Sequence, residues 1–132
     1  METTEHNGFK ISASNNGIYN IIRMFDKNPN TSWITYTVPS SVIIEFDKER
    51  SFVGMVLVNS ANTSAVFKDY QIEISSDGNI YEVITAGTQP SSYPLTCPLI
   101  FRCPKPISAK YVKVTFETSY DNGFDINAIH FI

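Results

Sequence analysis

Apolar and polar residues alternate along most of this chain with a period of two, the spacing of β-strands and not of helices. The clearest case is residues 70–75. There Tyr70, Ile72 and Ile74 fall on one face, and Gln71, Glu73 and Ser75 on the other. Ser76-Asp77-Gly78-Asn79 then supplies turn chemistry, and residues 81–86 resume the alternation, which predicts a hairpin. Residues 42–46 and 52–59 are rich in Val, Ile and Leu, and the charged stretch 47–51 predicts a turn between them. Shorter alternations at 10–14, 111–117 and 126–132 read as further strands. Five prolines between 90 and 106 predict a long surface connection carrying an edge strand near 99–102. Only residues 18–25 read as helical, for a turn or two at most, since Pro29 follows closely.

Several short strands separated by turn signals, without repeat or linker, predict an all-β antiparallel sandwich forming one domain over residues 1–132. The length of 132 residues suffices to bury a core without covalent staples. A net charge of −3 with scattered basic residues argues against nucleic acid as a partner. No apolar run reaches the ~20 residues that a membrane-crossing helix needs. The opening METTEHNGFK lacks the basic region and apolar stretch of a secretory leader. Two readings stay open: an intracellular protein, or a piece of a larger secreted one. Cys97 and Cys103, in the proline-rich stretch, are expected to be free thiols. The triplets Asn30-Thr31-Ser32 and Asn62-Thr63-Ser64 point the other way, as glycosylation acceptors in a secretory pathway.

Catalysis needs convergent titratable groups, and the sequence offers no spacing that predicts them. There is no nucleophile elbow, zinc-binding H-E-x-x-H, phosphate loop or C-x-x-C. His130 is expected to be an ordinary strand residue, and no base is evident beside either cysteine. The expectation is a protein that binds and does not catalyse.

The most specific stretch is Arg23-Met24-Phe25-Asp26-Lys27-Asn28-Pro29-Asn30-Thr31-Ser32-Trp33. Oxygen-bearing side chains alternate there with turn residues. A hard cation such as calcium takes oxygen ligands, many of them backbone carbonyls, which a tight loop turns inward. An Asx-type turn without an ion explains the same residues equally well.

With this loop the chain resembles the coagulation factor V/VIII C-type, or discoidin, domains, which include the family 32 carbohydrate-binding modules. The resemblance runs nearly the whole length. It takes in Ala13-Ser14, the Asp26–Trp33 loop, Ile44-Glu45-Phe46, Lys68-Asp69-Tyr70, Ile74-Ser75-Ser76-Asp77-Gly78 and Ala109-Lys110-Tyr111-Val112-Lys113-Val114. It implies a jelly-roll sandwich of the galactose-binding type, with binding loops at one end and no catalytic role. For the calcium-binding members it implies ligands at Arg23 (through its backbone), Asp26, Asn28 and Thr31, and a carbonyl at Asn127. The glutamate expected next falls on Ala128, which removes a charged ligand. Trp33 is implied to lie in the core beneath the loop.

The histidine and arginine of the sugar-binding members have no counterparts here. The remaining rim consists of Tyr36, Asn59 and Asn62, with Tyr120, Asn122 and Phe124 before the last strand. Aromatic and amide side chains together suit a sugar face or a protein hot spot. Phe124 is expected to plug the sandwich and Tyr120 to be exposed. The leading expectation is therefore a glycan-binding module with structural calcium, of a kind that a larger multidomain protein or complex can carry. The alternative is an intracellular adaptor that binds a protein, as other members of the fold do. Membrane insertion is not expected, because no loop carries apolar spikes beside lysines.

Overall fold

The computed structural model describes residues 2–6, 9–13, 24–25, 33–35, 39–59, 66–89, 99–120 and 124–132. Among them are eight strands: β1 (Glu2–His6), β2 (Phe9–Ala13), β3 (Trp33–Thr35), β4 (Ser40–Asn59), β5 (Asp69–Ser75), β6 (Glu82–Thr88), β7 (Leu99–Phe116) and β8 (Phe124–Phe131). All pairings are antiparallel, in the order β1-β2-β4-β7-β5-β6, with β8 joining β4 to β3.

β4 and β7 each serve two layers. The first half of β4 pairs with β2 (Ile11 opposite Ile44) and with the second half of β7 (Ile44 opposite Val112). Its second half pairs with β8 (Leu57 opposite Ile129) and with the first half of β7 (Leu57 opposite Leu99). One layer is therefore β1-β2-β4-β7-β5-β6, and the other is β7-β4-β8-β3. Val42, Ile44, Ile72, Val112 and Val114 from the first layer share one core with Met55, Leu57, Ile126 and Trp33 from the second. Each is at most 2% exposed, and burying such a side chain contributes about 1.5–3 kcal/mol. This is the antiparallel sandwich that the alternation predicts.

The chain passes between layers differently from the expected turn. Residues 46–49 stand against Lys110 alone, and residues 103–106 stand against Val53 alone, as two multi-residue bulges in otherwise continuous strands. The polar stretch 47–51 is thus exposed strand, in which Asp47 accepts from Arg50 at 2.8 Å and from the Lys48 amide at 3.0 Å. Pro104 and Pro106 lie inside β7 and not in a separate connection. A bulge is where a strand tolerates residues that have no N–H to give. Cys103, in the same bulge, has a free thiol whose pKa burial raises; Cys97 lies outside the described residues.

The expected hairpin is present between β5 and β6. Asp77 Oδ1 takes the amides of Asn79 (2.8 Å) and Ile80 (3.0 Å), and Gly78 adopts φ 81°. A Cβ at Gly78 would also stand 2.9 Å from the Tyr111 ring, so glycine is required there twice over. Of the residues expected to turn helically, only Met24 and Phe25 are described; both are buried. No helix among the described residues is long and apolar enough to cross a membrane.

Candidate functional site

Because β4 and β7 double back at the bulges, their outer ends come together at the opposite end of the sandwich. Phe67 to Tyr120 forms the frame there. The Lys68 amide donates to Thr118 O (2.8 Å), the Tyr120 amide to Val66 O (3.0 Å) and the Gln89 amide to Lys68 O (2.8 Å). Asp69 bolts the exits of β6 and β7 together. It accepts from the Thr88 hydroxyl at 2.6 Å and from the Thr118 hydroxyl at 2.8 Å. These two hydroxyls, Thr88 first, hold the Asp69 carboxyl below its ordinary value.

Beneath this frame lies a buried polar cluster. Gln89 is 0% exposed; its Nε2 donates to Phe67 O at 2.9 Å and its Oε1 accepts from Asn59 Nδ2 at 2.8 Å. The Tyr120 hydroxyl donates to the Gln89 carbonyl. One glutamine thus joins the end of β4, the entry to β5, the exit of β6 and the exit of β7. Tyr120 keeps 39% of its surface exposed, and the Lys68 ammonium lies 5.5 Å from its ring centroid.

The residues expected to form the site are placed unevenly. Asn59 and Tyr120 come together through Gln89, but Asn59 is buried, 5% exposed, and supports the rim from within. Tyr120 is exposed and Trp33 fully buried, both as expected. Phe124 opens β8, paired with Thr35; its side chain lies outside the description. Arg23, Asp26, Asn28, Thr31, Tyr36, Asn62 and Asn122 fall outside the described residues. His130 is exposed on β8, the ordinary strand position expected of it.

Sequence reasoning passed over Gln89. Its one sequence signal is a position at a strand exit just before Pro90, which many surface residues share.

The strand side of the expected metal position has two features. Ladder pairs run Val58–Ala128 and then Asn59–Ile126, so Asn127 is the extra residue of a β-bulge. Asp125 is 4% exposed, and its Oδ1 has no hydrogen-bond partner among the described residues. A buried oxygen without a hydrogen-bond partner is costly, so Asp125 Oδ1 beside the Asn127 bulge suits an oxygen-ligated cation in donor type. The described residues alone hold no group of three or more acidic, histidine or cysteine side chains that could bind a metal ion.

Comparison with known proteins agrees with this architecture. The family 32 carbohydrate-binding module of Clostridium perfringens NanJ, solved with galactose, superposes with a TM-score of 0.81 at 18% identity, covering 94% of this chain and 93% of that one. A pectin-binding carbohydrate-binding module gives a TM-score of 0.73 at 25% identity, over 92% and 87%. A structure of Clostridium perfringens ZmpB containing two such modules and an M60 catalytic domain matches with a TM-score of 0.82 at 19% identity. It covers 98% of this chain, which spans 14% of that one. No curated protein sequence matches. The F5/8 type C domain model matches residues 8–130, nearly the full length. With the sandwich, its crossing strands and this match together, the chain belongs to the F5/8 type C, or discoidin, domain family.

Proposed function

We propose that this chain is a non-catalytic module that binds a glycan at the end of the sandwich built by Asn59, Gln89 and Tyr120. The observation that carries the reading is the buried amide cluster directly beneath an exposed tyrosine. Hydrophobic sandwich ends need no such network, whereas a sugar site needs polar groups held in fixed directions beside an aromatic surface. Membership of a family whose structural neighbours include modules solved with galactose and with pectin-binding activity supports it. Tyr36, Asn62, Asn122 and Phe124 are proposed to complete the rim.

Calcium is proposed as a structural ion, held by the Arg23 backbone, Asp26, Asn28, Thr31 and the Asn127 carbonyl. When bound it supplies charge neutralisation and ties the loop to β8. The domain is proposed to act as one part of a larger protein, as its counterpart in ZmpB does.

The test is binding of the purified protein to galactose, N-acetylgalactosamine, fucose, oligogalacturonides from pectin and oligomannuronates. Saturable binding that Tyr120→Ala weakens at least roughly ten-fold, a change of 1.4 kcal/mol, is the expected result. No binding to any of these sugars, with a specific protein retained through the same tyrosine, would instead favour the adaptor reading.

A further inference from the structure

The two layers present unlike outer faces. On the first, Glu45 stands opposite Tyr111, Lys113 opposite Glu73 and Gln71 opposite Thr115, all half-buried, as suits a sheet facing water. On the second, Val53-Gly54-Met55-Val56-Leu57-Val58 of β4 is apolar throughout, and residues 128–132 are interrupted only by His130. Met55, Leu57 and Ile129 enter the core, so alternation turns Val56, Val58 and Ala128 outward. Ile100 stands beside Val56 on that side, 48% exposed. Val53, 39% exposed, and Ile132, 42% exposed, adjoin it: the Val53 amide donates to Ile132 O (2.7 Å) and the Ile132 amide to Gly54 O (2.9 Å). Three of the six large apolar side chains exposed among the described residues thus share one face. Strands that are apolar on both sides are ordinarily covered on both sides.

The charge on this face is of one sign. Arg102 is exposed opposite Gly54, Lys105 follows in the adjoining bulge, and His130 stands opposite Val56. Residues 53–58, 99–105 and 128–132 contain no aspartate or glutamate, in a chain whose net charge is −3. The face is also the size of one helix. It spans three strands, β7, β4 and β8, with about 10 Å between the outer two, close to a helix diameter. From Val53 to Val58 it runs about 17 Å, the length of about eleven helical residues.

We propose that the outer face of the second layer docks a protein partner through an amphipathic helix. Aliphatic side chains of that helix cover Val53, Val56, Ile100 and Ile132, and carboxylates beside them meet Arg102 and Lys105. Apolar surface and cations together select this occupant. A polyanionic glycan or nucleic acid would meet the cations but bring nothing to cover the branched side chains. A bilayer is disfavoured because these side chains lie in the plane of a sheet, half sunk, and do not reach the ~5–10 Å that interfacial insertion takes. A second copy about a two-fold axis would set the same cations against themselves. The site lies on a different surface from Tyr120 and does not depend on the glycan reading.

The experiment uses two helix-forming peptides of about 18 residues, above the length at which isolated helices are marginal. Each carries a leucine stripe, edged in one by glutamate and in the other by lysine. Both are titrated into wild type, Ile100→Glu, Arg102→Glu and Arg102→Ala, following backbone amide shifts and melting temperatures. Wild type should bind the glutamate peptide at least roughly ten-fold more tightly, a preference of 1.4 kcal/mol, against the sign of its own net charge. Shifts should centre on Val56, Ile100, Ala128 and His130. Arg102→Glu should invert the preference, Arg102→Ala reduce it, and Ile100→Glu weaken the glutamate peptide. Both positions are exposed, so melting temperatures should stay near that of wild type.

Equal or tighter binding of the lysine peptide overturns the proposal, as do shifts centred elsewhere or a preference that both Arg102 variants leave unchanged. Binding to phosphatidylserine vesicles with neither peptide bound would make the face a membrane contact. A dimer in sedimentation that Ile100→Glu dissolves would make its occupant a second copy. Either result also overturns the proposal, and sugar binding at the Tyr120 end is untouched by all of them.

Discussion

The two ends of this sandwich share edge-to-face aromatic packing, and one of them adds a buried amide network. At the corner end, where β4 and β7 cross between layers, Phe rings meet edge to face. Phe9 contacts Phe25 (5.5 Å between centroids) and Phe46 (6.1 Å), and Phe131 contacts Phe46 (5.2 Å) and Phe52 (5.3 Å). At the other end Phe67 meets Phe116 (5.0 Å) and Tyr70 (5.9 Å) in the same way, and the interior closes on Asn59, Gln89 and the Tyr120 hydroxyl. Aromatic contact is strong but directionless with respect to hydrogen bonding. An amide network contributes less net stability but fixes donors and acceptors in space. Both ends therefore pack rings, and only the amide end also fixes donors and acceptors in place.

The sharpest way to break that contrast is Phe46→Ala, at a ring only 5% exposed and touching two others. Urea unfolding should show a loss of about 3–5 kcal/mol, typical of a large buried aromatic, with sugar affinity of the folded fraction unchanged. A loss below that range would mean the corner is not the mechanical anchor.

Calcium removal probes the proposed ion site. At 100-fold saturation a bound ion stabilises by about 2.7 kcal/mol, so chelation should lower the melting temperature clearly, and Asp26→Ala should abolish the effect. A melting temperature indifferent to chelation would end the ion proposal.

Gly54→Ala is a smaller blow to the corner. A Cβ there would stand 2.3 Å from the Phe101 carbonyl, which is backbone and cannot swing away. A loss of about 1–3 kcal/mol in the same urea experiment is expected from this overpacking.

The smallest effect separates two carboxyls, one from each end. Asp47 is held below its ordinary value of 3.8 chiefly by the hydrogen bond from Arg50, and Asp69 chiefly by those from Thr88 and then Thr118. Both folded values lie below the unfolded one, so their contribution is present above about pH 4 and lost as pH falls through the folded values. Asp69→Asn and Asp47→Asn should each flatten the fall of stability with acid. Added salt should weaken the Asp47 share more than the Asp69 share, because Arg50 leads the causes at Asp47, whereas Asp69 rests first on two neutral hydroxyls and only last on Lys68. Equal salt sensitivity of the two would contradict this assignment.

Much of the fold was legible because burial on one face leaves a period of two. Val42, Ile44, Ile72, Val112 and Val114 are all inward, and the turn at Asp77-Gly78 is where its chemistry puts it. The reading faltered at 47–51 and at Pro104 and Pro106, where charge and proline ordinarily end a strand. Here bulges absorb them, and a bulge exists only relative to the partner strand. Of the site, Tyr120 was legible as an exposed aromatic among polar neighbours, whereas Asn59 was placed on the rim and lies beneath it.

By itself, then, the sequence determined the strand faces, the turn chemistry and the family, because these follow from residues that are neighbours in the chain. Tertiary structure alone decided that Gln89 is the hub. Its partners Asn59 and Phe67 lie 30 and 22 residues away, and no local pattern records a hydrogen bond across that separation. It also decided which amide oxygen is left over at Asn59, since that polarity is handed on from a carbonyl in another strand's approach.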